Sequence, residues 1–318
     1  MYDTIHFRLM RHDVEGAMYD EALNHIASLL TKISYQQGPN IYIHEGYIDG
    51  LYIKATPYYV EVKNSLCKWH LGNNLETLSR QSTERAIEKL SALLHLPMGQ
   101  ATITRVDVAR NMTTTHPPEC YLTHLGNYSP ATRGPYSADR GKPTGLIYKF
   151  KDRELVFYDK TKEAREKRAT IPDLYRGRNV LRYELRYMRR VPKQLGRDEV
   201  RAWMLYDEDF YINLNDRWRD EYKNIEKINT NRPSVAIKRV RDLNREGIVA
   251  LGKQYGGELG LLEHFSQQRR AGVLTPKEYF DLKKAIKEAH SVEGGIMEAS
   301  PLIDELNEKI KTQIAFYR

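Results

Sequence analysis

Four short segments place charged or reactive side chains inside strand-like apolar alternation, and this limits what the chain can fold into. They are Tyr59–Lys63, Arg105–Val108, Leu155–Lys160 and Leu181–Tyr187. Successive side chains of a strand point to opposite faces. Arg105 and Asp107 therefore share a face against Val106 and Val108, and Arg182, Glu184 and Arg186 oppose Leu181, Tyr183, Leu185 and Tyr187. Val156, Tyr158 and Lys160 oppose Leu155, Phe157 and Asp159, while Tyr59, Glu61 and Lys63 oppose Val60 and Val62. A sheet made of such strands has one apolar face that must be covered and one face crowded with ionisable groups. If the polar faces align, Glu61, Asp107, Tyr158, Lys160 and Glu184 converge.

The rest of the chain supplies the remaining elements. Ile5, Phe7 and Leu9 alternate against Thr4, His6 and Arg8, which predicts a half-buried strand. Residues 13–33 change to helical spacing, and short strands over 40–44 and 50–54 suggest an antiparallel meander. A helix is predicted from residue 73 to Leu94, stopped by Pro97, followed by a strand over Thr102–Arg110. Residues 111–145 are rich in Gly, Pro, Asn and Thr and read as a loop insertion. Residues 145–158 read as a hairpin turned at Lys151–Arg153. Beyond Pro192 the pattern is helical, with a break at Asn231–Pro233 and a capping box at Thr275–Glu278 that starts a helix to His290. The expected class is α+β: an antiparallel-sheet catalytic domain with flanking helices over 1–195, then an all-helical domain over 196–318 that serves DNA recognition or structure.

Charge narrows the partner. The 318 residues carry a formal net charge of +8. Between Lys149 and Lys193 there are 15 Lys or Arg and 7 Asp or Glu, an excess equal to that of the whole chain. That positive field surrounds two of the four strands and favours a polyanion such as DNA. A basic solvated face with no ligand is the plainer alternative. Only Cys67 and Cys120 are present, too few for a disulfide scaffold or a structural zinc, so a reducing cytoplasm is expected. No apolar run has membrane-spanning length. The ten histidines form no metal-binding pattern, and neither a phosphate-binding ATP loop nor a serine nucleophile elbow occurs.

Convergent carboxylates beside a tyrosine have a definite chemical use. Asp107 and Glu184, with Glu61, are the candidate ligands for Mg²⁺ or Mn²⁺, which would offset charge on a phosphate. Tyr158 is the candidate nucleophile; its phenol is weak until a cation or base assists it. Lys160, two residues on, is placed to help, and Arg105, Lys63, Arg182, Arg186, Arg189 and Arg190 are suited to the DNA backbone. Asp107 and Glu184 could equally pair with Arg105 and Arg182 as structural ions, and three readings of function stay open from the residues: attack by the tyrosine, cleavage by water with the tyrosine only orienting substrate, and DNA binding or mobilisation without cleavage.

The ordered blocks Tyr59–Ser65, Ile103–Val108, Arg153–Glu163 and Leu181–Arg186 resemble the rolling-circle replication initiators of filamentous phages, the gene II and gene X replication proteins, and more distantly the Rep_trans plasmid initiators. The match spans about residues 50–195. The resemblance implies a relaxase-like fold and a metal-dependent endonuclease that nicks one strand of a supercoiled replication origin through a tyrosine and later rejoins the displaced strand. It implies a free 3′ hydroxyl for a host DNA polymerase, with a host helicase as a further partner, in the bacterial cytoplasm. It carries the nicking tyrosine to Tyr158, the following lysine to Lys160, the block's last acid to Glu163 and the strand acids to Asp107 and Glu184. Glu61 is a less secure ligand and Asp159 receives no role. Nothing in the sequence sets the oligomeric state.

Overall fold

The computed structural model describes residues 1–30, 34–36, 42–137, 143–228, 239–291 and 300–315. The expected break at Asn231–Pro233 and the start of the predicted strand at residue 40 lie outside them. The strands are β1 (Tyr2–Met10), β2 (Ser34–Gln36), β3 (Tyr42–Ile48), β4 (Leu51–Ala55), β5 (Tyr59–Lys63), β6 (Thr102–Thr114), β7 (Thr132–Tyr136), β8 (Gly145–Lys149), β9 (Arg153–Asp159) and β10 (Asn179–Tyr187). They form one antiparallel sheet in the order β2-β3-β4-β5-β1-β6-β10-β9-β8-β7. The four charged segments thus fall on β5, β6, β9 and β10, of which the last three are neighbours. Lys160 is not on the strand as expected: β9 ends at Asp159, whose side chain caps a helix that begins at Lys160.

The helices are α1 (Gly16–Leu29), α2 (Leu66–Leu71), α3 (Arg80–Leu94), α4 (Pro118–Leu122), α5 (Lys160–Glu166), α6 (Val191–Leu195), α7 (Glu208–Lys223), α8 (Val240–Gln254), α9 (Glu258–Arg270), α10 (Pro276–Ser291) and α11 (Pro301–Ala315). The architecture is an α+β domain with flanking helices followed by an all-helical C-terminal region. Contacts divide it into two compact units, one of residues 1–228 with 301–318 and one of residues 229–300.

The apolar side of the sheet needs a cover, and the helices of the larger unit supply it. Val106, Val108, Leu155, Phe157, Tyr183 and Leu185 join one core with Ala86, Ile87 and Leu90 of α3, Leu214 and Trp218 of α7 and Leu306 of α11. The α7 helix starts where Asp207 accepts a bond from the Phe210 amide at 2.9 Å. It buries Phe210, Tyr211, Leu214, Asn215, Trp218 and Tyr222 on one stripe. Tyr183 stacks on Phe157 with centroids 4.2 Å apart and meets Trp218 at 4.6 Å. That packing orients β10, so the alternate residues of β9 and β10 must face the other way.

Two predicted elements differ from expectation. The helix expected from residue 73 begins only at Arg80, because Ser79 caps the Ser82 amide at 3.2 Å. Before it, Asn73 Oδ1 accepts from the amides of Leu75 and Glu76, closing a turn, and Leu78 pairs with Tyr2 of β1. The strand expected to end at Arg110 continues to Thr114, because β10 supplies backbone partners as far as Asn179. The rest of the Gly- and Pro-rich segment contains α4 and β7 among its described residues.

Candidate active site

The polar side of β6, β10 and β9 is set by pairing. Arg182 lies opposite Tyr158, Glu184 opposite Val156 and Ala109, and Arg186 opposite Asp107. Glu184 and Asp107 are therefore diagonal neighbours on one face, and Tyr158 lies beside Glu184. The Tyr158 hydroxyl donates to Glu184 Oε1 at 2.8 Å. Arg182 Nε donates to the same oxygen at 2.6 Å, and Arg186 Nε donates to Oε2 at 2.7 Å. Arg182 also reaches Asp3 at 2.7 Å, the Asn74 carbonyl at 2.9 Å and Asn111 at 3.2 Å. Asp107 is held by Arg105 through two bonds, Nε to Oδ1 at 2.9 Å and Nη2 to Oδ2 at 2.6 Å.

On the flank of Tyr158, the Lys160 ammonium begins α5 fully buried. It donates to Glu163 Oε2 at 2.7 Å and to Asn74 Oδ1 at 3.1 Å and lies 5.8 Å from the Tyr158 ring centroid. Lys167 binds the second Glu163 oxygen at 2.7 Å. Asp159 is the N-cap of α5, accepting from the Lys162 amide at 2.8 Å and from Thr161 at 2.7 Å. On the opposite flank, β1 separates β5 from β6. Glu61 pairs there with Arg8 and, at 2.8 Å, with Lys63, so it lies on the same sheet but not among the Tyr158 contacts. Lys63 is part-exposed and Arg189 and Arg190 are exposed, the last paired with Asp152; Arg105 is half-buried and Arg182 sealed.

Burial and charge give these groups unequal acidities. Burial pushes the Tyr158 phenol well above its ordinary value, and the Glu184 charge adds to this. Burial also opposes ionisation of Glu184, but Arg186 and Arg182, with the bonds from Arg182 and Tyr158, outweigh it and hold the carboxyl far below the usual range. Burial pushes Asp107 up to about 6 despite Arg105. Lys160 is lowered by burial and by Arg182, against the pull of Glu163. Burial works against Glu163, yet Lys160 and Lys167 bring it below the usual value.

Five residues of this face were not singled out from the sequence. His6 of β1 pairs in register with Arg105, and burial together with Arg105 and Lys63 takes its imidazole down to about 4. Arg8 neutralises Glu61. The alternation of Thr4, His6 and Arg8 was a usable signal for both. Asp3 reaches Arg182 because the register shifts between Tyr2 and Ile5, which strict alternation does not foresee. Asn74 and Tyr136 carried no signal. Tyr136 packs on Tyr158 with centroids 5.4 Å apart, and its hydroxyl accepts from Arg186 at 3.1 Å.

The donor set does not fit a cation as it stands. Asp107 and Glu184 both spend their oxygens on guanidinium groups, and among the described residues no three His, Cys, Asp or Glu side chains group as metal ligands. As it stands, the face offers a phenol whose proton points at a carboxylate, with guanidinium groups that are already engaged by that carboxylate and by Asp107.

Residues 1–220 match the Phage_CRI family model, described as the N-terminal region of a replication-associated protein. The chain belongs to that family. The span matched to the Phage_CRI model includes every strand of the sheet and all but the last turn of α7, and hence the whole charged face. Membership associates the chain with phage replication proteins. No curated protein matches it. Among the described residues no helix is long and apolar enough to cross a membrane.

Proposed function

We propose that this Phage_CRI chain is a rolling-circle replication initiator, a site-specific nicking and joining endonuclease acting at a replication origin. The observation that carries the reading is the Tyr158 hydroxyl, 2.8 Å from an ionised Glu184 and flanked by two guanidinium groups on the same carboxylate. In this scheme Arg186 and Arg105 turn from their carboxylates to the phosphates of locally melted DNA. Glu184 then loses counter-charge, its basicity rises, and it takes the phenol proton. The Tyr158 oxygen forms a bond to phosphorus while the bond to the 3′ oxygen breaks, and that oxygen leaves as a hydroxyl after taking a proton from solvent. The 5′ end remains as a phosphotyrosyl ester, which keeps the bond energy for rejoining. A host polymerase would extend the 3′ end, with a host helicase opening the duplex ahead. Mg²⁺ or Mn²⁺ belongs to this reading only in the DNA-bound state, where Asp107 freed from Arg105 would help to hold it and it would offset phosphate charge, while Glu184 keeps Arg182 and serves as the base.

Tyr158 is only 4% exposed, so the scheme includes an opening in which Tyr136 leaves its ring. The same burial, with every acid of the face neutralised by a base, favours a second reading: a DNA-binding or mobilisation accessory protein that does not cut. Native and denaturing gels run in parallel, with internally labelled supercoiled DNA and end-labelled single strands of the same genome, separate the two. Protein attached covalently to a labelled strand, absent in Tyr158→Phe, supports the first. Retardation without breakage supports the second. Breakage without attachment would overturn the tyrosine in favour of water.

A further inference from the structure

We infer that the 229–300 unit carries a separate duplex-DNA surface, formed by the outer side of α10 and the end of α9. The inference rests on the DNA-replication reading above but not on Tyr158 chemistry. Helices α8, α9 and α10 pack on one another within this unit. The inner side of α10 is marked by Ile286 and Ala289, both buried. The α8 and α10 helices approach closely, since a Cβ on Gly252 would stand 2.9 Å from His290 Nε2.

At 100° per residue, Lys277, Phe280, Lys283, Lys284 and Lys287 occupy one continuous arc on the side of α10 opposite Ile286 and Ala289, and all five are exposed. Phe280 is 65% exposed, a large apolar ring standing in water among four lysines. The turn before α10 fixes where this arc begins. Gly272 takes a left-handed φ of 74° after α9. Thr275 and Glu278 then exchange capping bonds, the Thr275 amide to Glu278 at 2.8 Å and the Glu278 amide to Thr275 at 3.3 Å. Arg269 and Arg270 end α9 at this corner, with the Arg269 guanidinium 5.3 Å from the Tyr279 ring centroid. Two helices joined by a five-residue turn, the second with a basic outer side, are an arrangement that can offer one helix to a major groove about 12 Å wide.

The occupant follows from charge. The cores of protein interfaces are depleted in Lys, so a protein partner is a poor match for an aromatic ringed by ammonium groups. Phosphates satisfy the lysines, and a base edge or thymine methyl satisfies Phe280. The acids of the helix cancel little of this: Glu278 is engaged in the cap, Glu288 makes a long, exposed pair with Lys284 at 3.9 Å, and Asp281 lies at the edge of the arc.

The test uses the full chain and 30-base-pair duplexes, with anisotropy measured between 50 and 250 mM salt. Lys283→Gln/Lys284→Gln/Lys287→Gln should weaken binding by about 10- to 100-fold and reduce the log–log salt slope by about 2 to 3. The triple Lys→Arg variant should restore both. Phe280→Ala should lower the preference for origin over random duplex and leave the slope unchanged. Unchanged helicity and Tm by circular dichroism show that the fold is kept. Affinity and slope within twofold of wild type would overturn the surface, as would a changed oligomeric state with duplex affinity preserved. Duplex affinity and its salt slope are read without any cleavage, so this surface stands or falls separately from the Tyr158 chemistry.

Discussion

Replacing Glu184 by Gln tests whether the charged face holds the fold together as well as serving DNA. The substitution keeps volume and removes the anion shared by Arg182, which is sealed, and Arg186, which is part-buried. Breaking a buried ion pair from one side costs roughly 3–5 kcal/mol. Arg182 would keep Asp3 at 2.7 Å, and Arg186 would keep the Tyr136 hydroxyl and a long contact to Glu154 at 3.8 Å. The lower end, about 3 kcal/mol, is therefore expected from urea unfolding at pH 7. The pH dependence has a definite sign. Glu184 is depressed in the fold, so its contribution is complete above its ordinary value of 4.5 and is lost as pH falls toward the folded value. The wild-type advantage should be flat from pH 6 to 8 and shrink below about 4.5. A double-mutant cycle with Arg186→Met should return a coupling of about 2 kcal/mol. A cost below 1 kcal/mol at pH 7, or a cost that grows on acidification, refutes the account.

Asp107→Asn should remove a penalty: Asp107 sits at about 6 against an ordinary 3.8, so its charge lowers wild-type stability progressively as pH rises from about 4 to 6.5. Paired denaturation curves should move in favour of the variant by up to about 3 kcal/mol across that window, and a flat or opposite trend would sink the assignment. Tyr158→Phe loses one hydrogen bond to Glu184 and should cost only about 1 kcal/mol by urea midpoint, so any abolished strand attachment reads as chemistry. Gly145→Ala would place a Cβ 2.3 Å from the Phe157 carbonyl oxygen and 2.8 Å from Tyr158 Cβ. It should destabilise by about 1–3 kcal/mol and perturb the tyrosine near-UV spectrum; a fully stable variant would show that β8 and β9 can separate there.

Much of the candidate site was legible because strand alternation is a local property. Tyr158, Glu184 and Asp107 each sit one residue away from core positions, and the period of two assigns their face before any partner is known. The capping box at Thr275 was readable for the same reason, since its bonds span three residues. Strand order was not readable. Glu61 belongs to a strand of the same design, but β1 lies between β5 and β6 and gives Glu61 to Arg8 and Lys63.

Pairing between distant residues decided the rest. One pairing was local and open in the sequence: the buried carboxylates of Asp107 and Glu184 take Arg105, Arg182 and Arg186, two residues away on their own strands, as counter-charges. Asp3, Asn74 and Tyr136 complete the surroundings from sites remote in the chain, and only the folded sheet brings them to Arg182, Lys160 and Tyr158. Local periodicity set which side chains share a surface; which of them touch depended on strand order, register shifts and the low dielectric of a closed interior, none of which a single segment encodes.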